Sequence, residues 1–388
     1  MATVIRSLEA LAVALPRDVP YLGPLRDGES VNAKGYIVRR GNRTIYPDRD
    51  MSVIVKATTR KGTVGWGETY GIVAPQAVVA ILREVLFPFV EGRDARDAPV
   101  IYDELYDLQR VRGASSGLYG DALAAIDIAL WDATAREAGV PLNAALGNAL
   151  RTEIPAYASG LPKATLHERV ALAQSFFDRG FRGIKYAAAV SEDAVVAEMH
   201  ALRAALPTAD LMVDLHWRYR PEEALRLSSE LAPSNPYFLE APCATEDIDG
   251  LACVAEASPV PVAAGEEWHN LYEAKLRLAR AKLSYVQPEI AHTGVSQFLS
   301  IARMAQANGA GVIPHATIGV GIFMAASLHT ASALGDCPYH EYQHSVFDRN
   351  LAHVETTMAC DAGCYRLPTA VGLGVEPRES LWNYRMDI

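Results

Sequence analysis

Leu211-Met212-Val213-Asp214, Tyr237-Phe238-Leu239-Glu240 and Val262-Ala263-Ala264-Gly265-Glu266 are three short apolar runs, each closed by an acid, and the acids follow one another at a constant interval of 26 residues. One strand-plus-helix unit of a parallel barrel takes about that much chain. An acid repeated at this period stands at the C-terminal ends of three consecutive barrel strands, where such barrels carry their chemistry. Three hard oxygen donors converging there suit Mg²⁺, which keeps its other octahedral positions for water or substrate oxygens. Any one of these acids taken alone would serve equally well as a helix cap or an arginine's partner. The equal spacing of all three favours a shared site.

Working outward, apolar runs at 154–159, 183–187, 211–215, 236–240, 262–266, 284–288, 311–314 and 338–342 alternate with amphipathic helical stretches. Eight such runs predict an α/β fold with a (β/α)₈-type TIM barrel over 139–350. The chain before it reads differently. Strands over 3–14, 51–58 and 63–68, with a Lys61-Gly62 turn, precede helical periodicity over 74–90, 98–112 and 118–138, an α+β domain spanning 1–138. The segment 351–388 is rich in turns, lacks a helix to close the barrel, and is expected to pack back on the N-terminal domain.

Composition sets the outer bounds. With 388 residues, half of them hydrophobic, the chain has enough apolar surface for a barrel and a second domain. A net charge of −10 argues against nucleic acid or an anionic membrane as partner. The five cysteines, Cys243, Cys253, Cys337, Cys360 and Cys364, lack the paired spacing of a zinc site and read as reduced thiols. The N-terminus has no signal-like apolar core, and no run of eighteen apolar residues occurs, so a soluble, cytoplasmic protein is expected; a homo-oligomer is expected as well.

Val64-Gly65-Trp66-Gly67-Glu68, Ala124-Ala125-Ile126-Asp127-Ile128-Ala129-Leu130-Trp131-Asp132, Val213-Asp214-Leu215-His216, Phe238-Leu239-Glu240-Ala241-Pro242, Gly265-Glu266 and Gln287-Pro288-Glu289 together resemble the mandelate racemase and muconate lactonizing branch of the enolase superfamily over nearly the whole chain. The resemblance implies a capping α+β domain, completed by the C-terminal segment, over a modified barrel. It also implies one Mg²⁺ on Asp214, Glu240 and Glu266, and abstraction of a proton α to a carboxylate to give an enediolate stabilised by the metal.

The same resemblance assigns candidate acids and bases. Gly180-Phe181-Arg182-Gly183-Ile184-Lys185-Tyr186-Ala187 aligns with the family's second-strand Lys-x-Lys motif, but Ala187 stands where the second, usually catalytic, lysine belongs. Strand alternation points Lys185 and Ala187 the same way, leaving one cation to hold a substrate carboxylate or tune the site, if it does not simply snorkel to solvent. On the other face, His315 closes the seventh strand in Val312-Ile313-Pro314-His315, and Glu289, where relatives carry Asp, closes the sixth. A carboxylate beside an imidazole orients it and raises its pKa, as a general base requires.

His216 lies two residues past Asp214, so on a strand it would face the metal. Its position matches the histidine that acid-sugar dehydratases use to protonate the departing 3-hydroxyl; a purely structural hydrogen bond is the alternative. Glu341, in Tyr339-His340-Glu341-Tyr342, matches an acid that contacts substrate in relatives. The segment Tyr21 to Tyr46 corresponds to a capping loop and carries Arg26, Lys34, Arg39, Arg40 and Arg43, suited to a second substrate carboxylate or merely solvated. Tyr70 on a second capping loop is a candidate for shaping the pocket. These assignments imply a Mg²⁺-dependent lyase, a hydro-lyase that converts an aldonate or aldarate of galactonate or galactarate type to a 2-keto-3-deoxy acid. An epimerase, racemase or cycloisomerase on the same scaffold is the alternative, and a noncatalytic sugar-acid binder a third.

Overall fold

Val64-Gly65-Trp66-Gly67 is the strand that seats the longest helix of the molecule. The computed structural model describes residues 2–147, 151–191, 194–316 and 319–388. Near its start come β1 (Ile5–Pro16), β2 (Tyr36–Val38), β3 (Ile45–Pro47), β4 (Arg49–Thr59) and β5 (Val64–Tyr70); β1, β4 and β5 form an antiparallel meander, and β2 and β3 a separate hairpin. Next are α1 (Pro75–Ala80), a π-helical stretch Ile81–Leu86, α2 (Phe87–Val90), α3 (Ala98–Arg110) and α4 (Leu118–Ala138). A Cβ on Gly67 would meet the Ala125 carbonyl oxygen at 1.9 Å, and one on Gly65 that of Ala129 at 2.3 Å. Glycine at both positions therefore lets β5 lie directly on the backbone of α4.

The other side of α4 meets the barrel, so this helix is buried almost all round. Two of its buried acids are joints between the layers. Asp127 accepts hydrogen bonds from Ser296 N (2.9 Å) and Ser296 Oγ (2.5 Å), while Asp132 accepts from Trp66 N (2.8 Å), Leu373 N (2.7 Å) and Arg136 Nε (2.8 Å). Burial pushes both carboxyls up to about 6, against the pull of these donors. The Ala124–Asp132 motif is thus mainly architectural.

After α5 (Leu142–Ala145) the barrel begins. Strands β6 (Glu153–Ser159), β7 (Gly183–Ala187), β8 (Asp210–Asp214), β9 (Phe238–Glu240), β10 (Val262–Ala264), β11 (Tyr285–Val286) and β12 (Gly311–Val312) pair in sequence, all parallel, and β13 (His340–Tyr342) returns to pair with β6. The Glu341 N–H donates to Pro314 O at 3.3 Å across the remaining seam. Helices α6 (Leu166–Asp178), α7 (Val195–Ala205), α8 (Pro221–Leu231), α9 (Ile248–Ala257), α10 (Leu271–Leu278), α11 (Ile290–Ala307) and α12 (Ile322–Ser332) follow the first seven strands; after β13 comes only the short α13 (Phe347–Asn350). Tyr157, Met212, Phe238, Ala263, Ile313 and Tyr339 fill the barrel interior as one packed cluster. The sixth and seventh strands shrink from the expected runs to two residues each. Pro288 and Pro314 stand just beyond them, and a proline cannot donate to the ladder.

The C-terminal segment departs from expectation in its first half. β14 (Val354–Thr356) pairs with β17 (Val375–Pro377), but the hairpin of β15 (Ala359–Asp361) and β16 (Cys364–Arg366) attaches to the barrel, antiparallel to the start of β6. That early part of β6 extends past its barrel neighbours and offers a free edge. Only afterwards does the chain reach the N-terminal layer. Trp66 Nε1 donates to Glu376 Oε2 (2.8 Å), and Met386 N donates to Ala12 O (2.9 Å). No described helix is long and apolar enough to cross a membrane.

Candidate active site

The C-terminal strand ends converge on a cavity of about 350 Å³ that the capping segments roof. Lys185 projects from β7, Asp214 closes β8 and Glu240 closes β9; Asp214 and Glu240 are direct register partners. Glu266 lies two residues past β10. Gly265 precedes it at φ +121°, a conformation that turns the chain over the barrel mouth and that side-chain-bearing residues avoid. Lys185 Nζ sits 3.0 and 2.9 Å from the two oxygens of Glu240 and 3.1 Å from Glu341 Oε1. Burial opposes its charge, but Glu240 and Glu341 prevail and hold its pKa well above the ordinary lysine value. Glu341 also takes the Ser159 hydroxyl and the Ala316 N–H (3.2 Å). Although burial opposes ionisation, Lys185 and His315 bring its carboxyl down to about 2.

His315 and Glu289 meet as a pair. Glu289 is one methylene longer than the family's Asp, and its Oε2 stands 2.9 Å from His315 Nδ1. The same oxygen accepts the Tyr70 hydroxyl (2.7 Å), and Oε1 accepts the Ala291 N–H (3.0 Å), so Glu289 is fixed from three sides. Since the carboxylate can only accept, Nδ1 carries the hydrogen and Nε2 faces the site. Nε2 lies 3.0 Å from Glu266 Oε2 and 3.5 Å from Glu341 Oε2. Burial disfavours the imidazolium, yet Glu266, Glu341 and Glu289 raise His315 well above the usual histidine value.

His216 reaches the site by a route that strand alternation does not describe. The strand stops at Asp214, and His216 and Trp217 both adopt left-handed backbone, at φ 51° and 54°. This double turn brings the ring back over Asp214. His216 Nε2 lies 3.1 Å from Asp214 Oδ2, and the His216 N–H donates to Asp214 Oδ1 at 2.8 Å. Burial, reinforced by Lys185, pushes its pKa down to about 4.

The capping loops contribute aromatic rings, not arginines. Arg43 stands exposed at the tip of the β2–β3 hairpin and does not line the cavity, which corrects its assignment as a substrate contact. Arg39 is buried with Glu29 (2.6 Å) and the Tyr21 and Gly23 carbonyls, and Lys34 and Arg40 face solvent. The carbonyls of Tyr21, Gly23 and Pro24 lie outside any strand, and Arg39 satisfies them. Tyr21, Leu22, Thr44 and Tyr46 line the cavity instead, with the Tyr21 and Tyr46 rings 5.3 Å apart. Tyr70 lines it too, but its hydroxyl is committed to Glu289, so it acts on the His315 pair. Sequence reasoning missed Ser159, Asp121, His292 and Gln343 among the lining residues. The phase of β6 signals Ser159, since it shares the inward face with Tyr157; the other three sit on helices or turns whose placement only the fold reveals.

The donor set fits a hard divalent cation. Three carboxylates are crowded in low dielectric, burial raising Asp214 to about 6 and Glu266 well above the usual range. Glu240, Glu266 and His315 bring ligand atoms within 4.8 Å of one another, and Asp214 is the strand neighbour of Glu240.

Comparison with known proteins agrees with this fold. Residues 168–381 match the enolase C-terminal domain-like family, and residues 47–147 match the mandelate racemase/muconate lactonizing enzyme N-terminal domain. A D-galactarolactone cycloisomerase from Agrobacterium fabrum is 31% identical over 87% of this chain and 92% of its own, and a D-galactonate dehydratase from Ralstonia nicotianae 29% identical over 85% and 89%. A crystal structure of an enolase superfamily member from Agrobacterium tumefaciens is 48% identical and superposes with a TM-score of 0.97, covering 100% of both chains. Magnesium is bound in a family structure from Paracoccus denitrificans at 25% identity and TM-score 0.81, covering 99% of each chain. With both domains matched and the barrel-end acids in place, the chain belongs to the enolase superfamily, in its mandelate racemase and muconate lactonizing branch.

Proposed function

We propose that the chain is a Mg²⁺-dependent sugar-acid dehydratase, which removes the proton α to the carboxylate and expels the oxygen on the neighbouring carbon to give a 2-keto-3-deoxy acid. The observation that carries this is the one-sided arming of the cavity. His315, with Nδ1 on Glu289 and Nε2 toward the site, is built to take a proton. On the Lys-x-Lys face, Ala187 has no base and Lys185 is held as an ammonium between Glu240 and Glu341. A racemase or epimerase needs a proton-accepting group on each face; elimination needs one base and a route out for the oxygen.

Held by Asp214, Glu240 and Glu266, Mg²⁺ would supply positive charge to the substrate carboxylate as negative charge develops on its oxygens. Lys185 and Ser159 fix Glu341, and the Lys185 ammonium adds a second positive charge at the same end of the cavity. His315 Nε2 accepts the C2 proton, with Glu289 and Tyr70 setting its tautomer. His216, beside Asp214, is placed to protonate the departing hydroxyl, which otherwise leaves as hydroxide, and it must first take up that proton against the pull of burial. Free cysteines throughout the chain fit a reducing, cytoplasmic setting.

A second reading, opening of a sugar-acid lactone, is favoured by the galactarolactone cycloisomerase relative. It uses the same base and differs in its leaving group, a lactone carboxylate that departs without a proton. The test incubates the enzyme and Mg²⁺ with galactonate, galactarate and galactarolactone and follows 2-keto acid formation. Dehydration predicts product from an open acid; product from the lactone alone moves the assignment to cycloisomerase, and C2 inversion without keto acid refutes both.

A further inference from the structure

Asp121, His269 and His292 form a second charged cluster at the same cavity, and the chemistry proposed above uses none of them. Asp121 comes from the first turn of α4, His269 from the loop after β10, and His292 from the first turn of α11. His292 Nδ1 lies 2.6 Å from Asp121 Oδ1, and His269 Nε2 lies 3.3 Å from the same oxygen, with the two rings 4.6 Å apart. His269 Nδ1 is 3.0 Å from the Glu267 carbonyl oxygen, an acceptor only, so that nitrogen carries a hydrogen. His269 Nε2 makes no hydrogen bond, so the ring flanks the carboxylate without closing on it.

Two imidazoles therefore share one buried carboxylate. His269 is buried, whereas His292 and Asp121 line the cavity, and among the described residues His292 Nε2 has no hydrogen-bond partner. Backbone geometry makes room for the cluster. A Cβ on Gly120 would meet His269 Cδ2 at 2.5 Å, so glycine there admits the ring beside Asp121. Asp121 outweighs burial and raises the pKa of His292 above its ordinary value.

Among the described residues that line the cavity, the one lysine is Lys185 and no arginine appears. Lys185 is spent on Glu240 and Glu341. His216 faces Asp214 and His315 faces three acids. An anionic group of the substrate has one imidazole left to meet whose protonated form a neighbouring carboxylate favours, and that is His292. We propose that His292, held by Asp121 and backed by His269, is the subsite for the second carboxylate of a dicarboxylic sugar acid or its lactone. This rests on the sugar-acid reading and narrows its substrate class to diacids.

The test compares kcat/KM, with Mg²⁺, for hexarates (galactarate, glucarate) against the matched hexonates (galactonate, gluconate). Wild type should favour a diacid. In His292→Asn the diacid-to-monoacid ratio should fall about 10- to 100-fold, chiefly through KM, as expected for loss of a hydrogen bond to a charged group. Asp121→Asn should shift the ratio the same way. His292→Lys, which keeps a cation, should retain more of the preference than His292→Asn, an ordering that a merely structural role would not produce. An unchanged ratio, or equal losses on diacid and monoacid, overturns the proposal. A structure of the wild type with Mg²⁺ and galactarate gives a check independent of variant folding: the second carboxylate should lie within hydrogen-bond distance of His292 Nε2, and its placement elsewhere overturns the subsite. Turnover of hexonates without diacid preference refutes the subsite alone. Absence of turnover and of binding for all four acids refutes the sugar-acid reading with it.

Discussion

Glu289→Gln isolates the contribution of the carboxylate to the base, because it changes no volume and the structure dictates how the amide must sit. In the native pair Oε2 serves both Tyr70 (2.7 Å) and His315 Nδ1 (2.9 Å), while Oε1 accepts the buried Ala291 N–H (3.0 Å). If the amide oxygen stays with Ala291, the NH₂ group faces Tyr70 and His315. The tyrosine hydroxyl can turn to accept, but the imidazole must give up its Nδ1 hydrogen and carry it on Nε2, the nitrogen that should receive the substrate proton. The flipped amide instead sets two donors against each other at Ala291, at a cost of about 1–3 kcal/mol. The flipped amide keeps the working tautomer only at that cost, and without the negative charge that raises the basicity of His315, so the base is weakened in either arrangement. The expected fall in kcat is on the order of 10²–10⁴, or roughly 2.7–5.4 kcal/mol of barrier, with KM nearly unchanged. The assay follows turnover and, by NMR in D₂O, exchange of the substrate α-hydrogen. Both should fall together while circular dichroism and thermal unfolding stay near wild type. Exchange within tenfold of wild type would refute the role given to the pair.

Three further predictions concern the metal, the leaving group and the joint between the layers. Glu240→Gln should abolish turnover and weaken Mg²⁺ binding while leaving the fold intact, and calorimetry near pH 6 should show proton release on Mg²⁺ binding, because burial holds Asp214 part-protonated there. The sign follows from that raised pKa: its contribution to metal-free stability is present below the unfolded carboxylate pKa and lost as pH rises through about 6, so the Mg²⁺-induced rise in melting temperature should be larger at pH 8 than at pH 5. His216→Asn should suppress keto-acid formation about 10²-fold or more while α-hydrogen exchange through His315 persists; a parallel loss of both would remove His216 from the leaving-group step. Glu68→Gln should destabilise by about 1–3 kcal/mol in urea unfolding. Glu68 is buried and accepts Ser52 Oγ (2.5 Å) and the N–H groups of Val320 (2.6 Å), Ile322 (2.9 Å) and Phe323 (3.0 Å), so an amide leaves at least one of these backbone donors unmet; stability within about 0.5 kcal/mol of wild type would contradict that count.

The sequence made the barrel and its acids legible because both depend on period. Strand-and-helix alternation and the equal spacing of Asp214, Glu240 and Glu266 survive without coordinates, as does the His315–Glu289 correspondence at successive strand ends. What escaped notice depends on backbone departures from period. His216 reaches Asp214 through two left-handed residues, which no alternation rule anticipates. The basic loop read as a carboxylate clamp because charge is visible in sequence, whereas the carbonyls and Glu29 that absorb Arg39 are not. Asp121 and His292 are 171 residues apart, and only the packing of α4 against α11 brings them together. The Gly65 and Gly67 pair was recognisable as a motif, but its cause, the approach of β5 to the backbone of α4, appears only in three dimensions.

The central claim, removal of a C2 proton by His315 followed by loss of the neighbouring oxygen, is tested most directly by the isotopic content of the product. Wild-type enzyme with Mg²⁺ and an accepted sugar acid in D₂O should yield a 2-keto-3-deoxy acid carrying one solvent deuterium at C3, and His315→Asn should yield neither product nor α-hydrogen exchange. Recovery of the starting acid inverted and deuterated at C2, with no keto acid, would contradict the account.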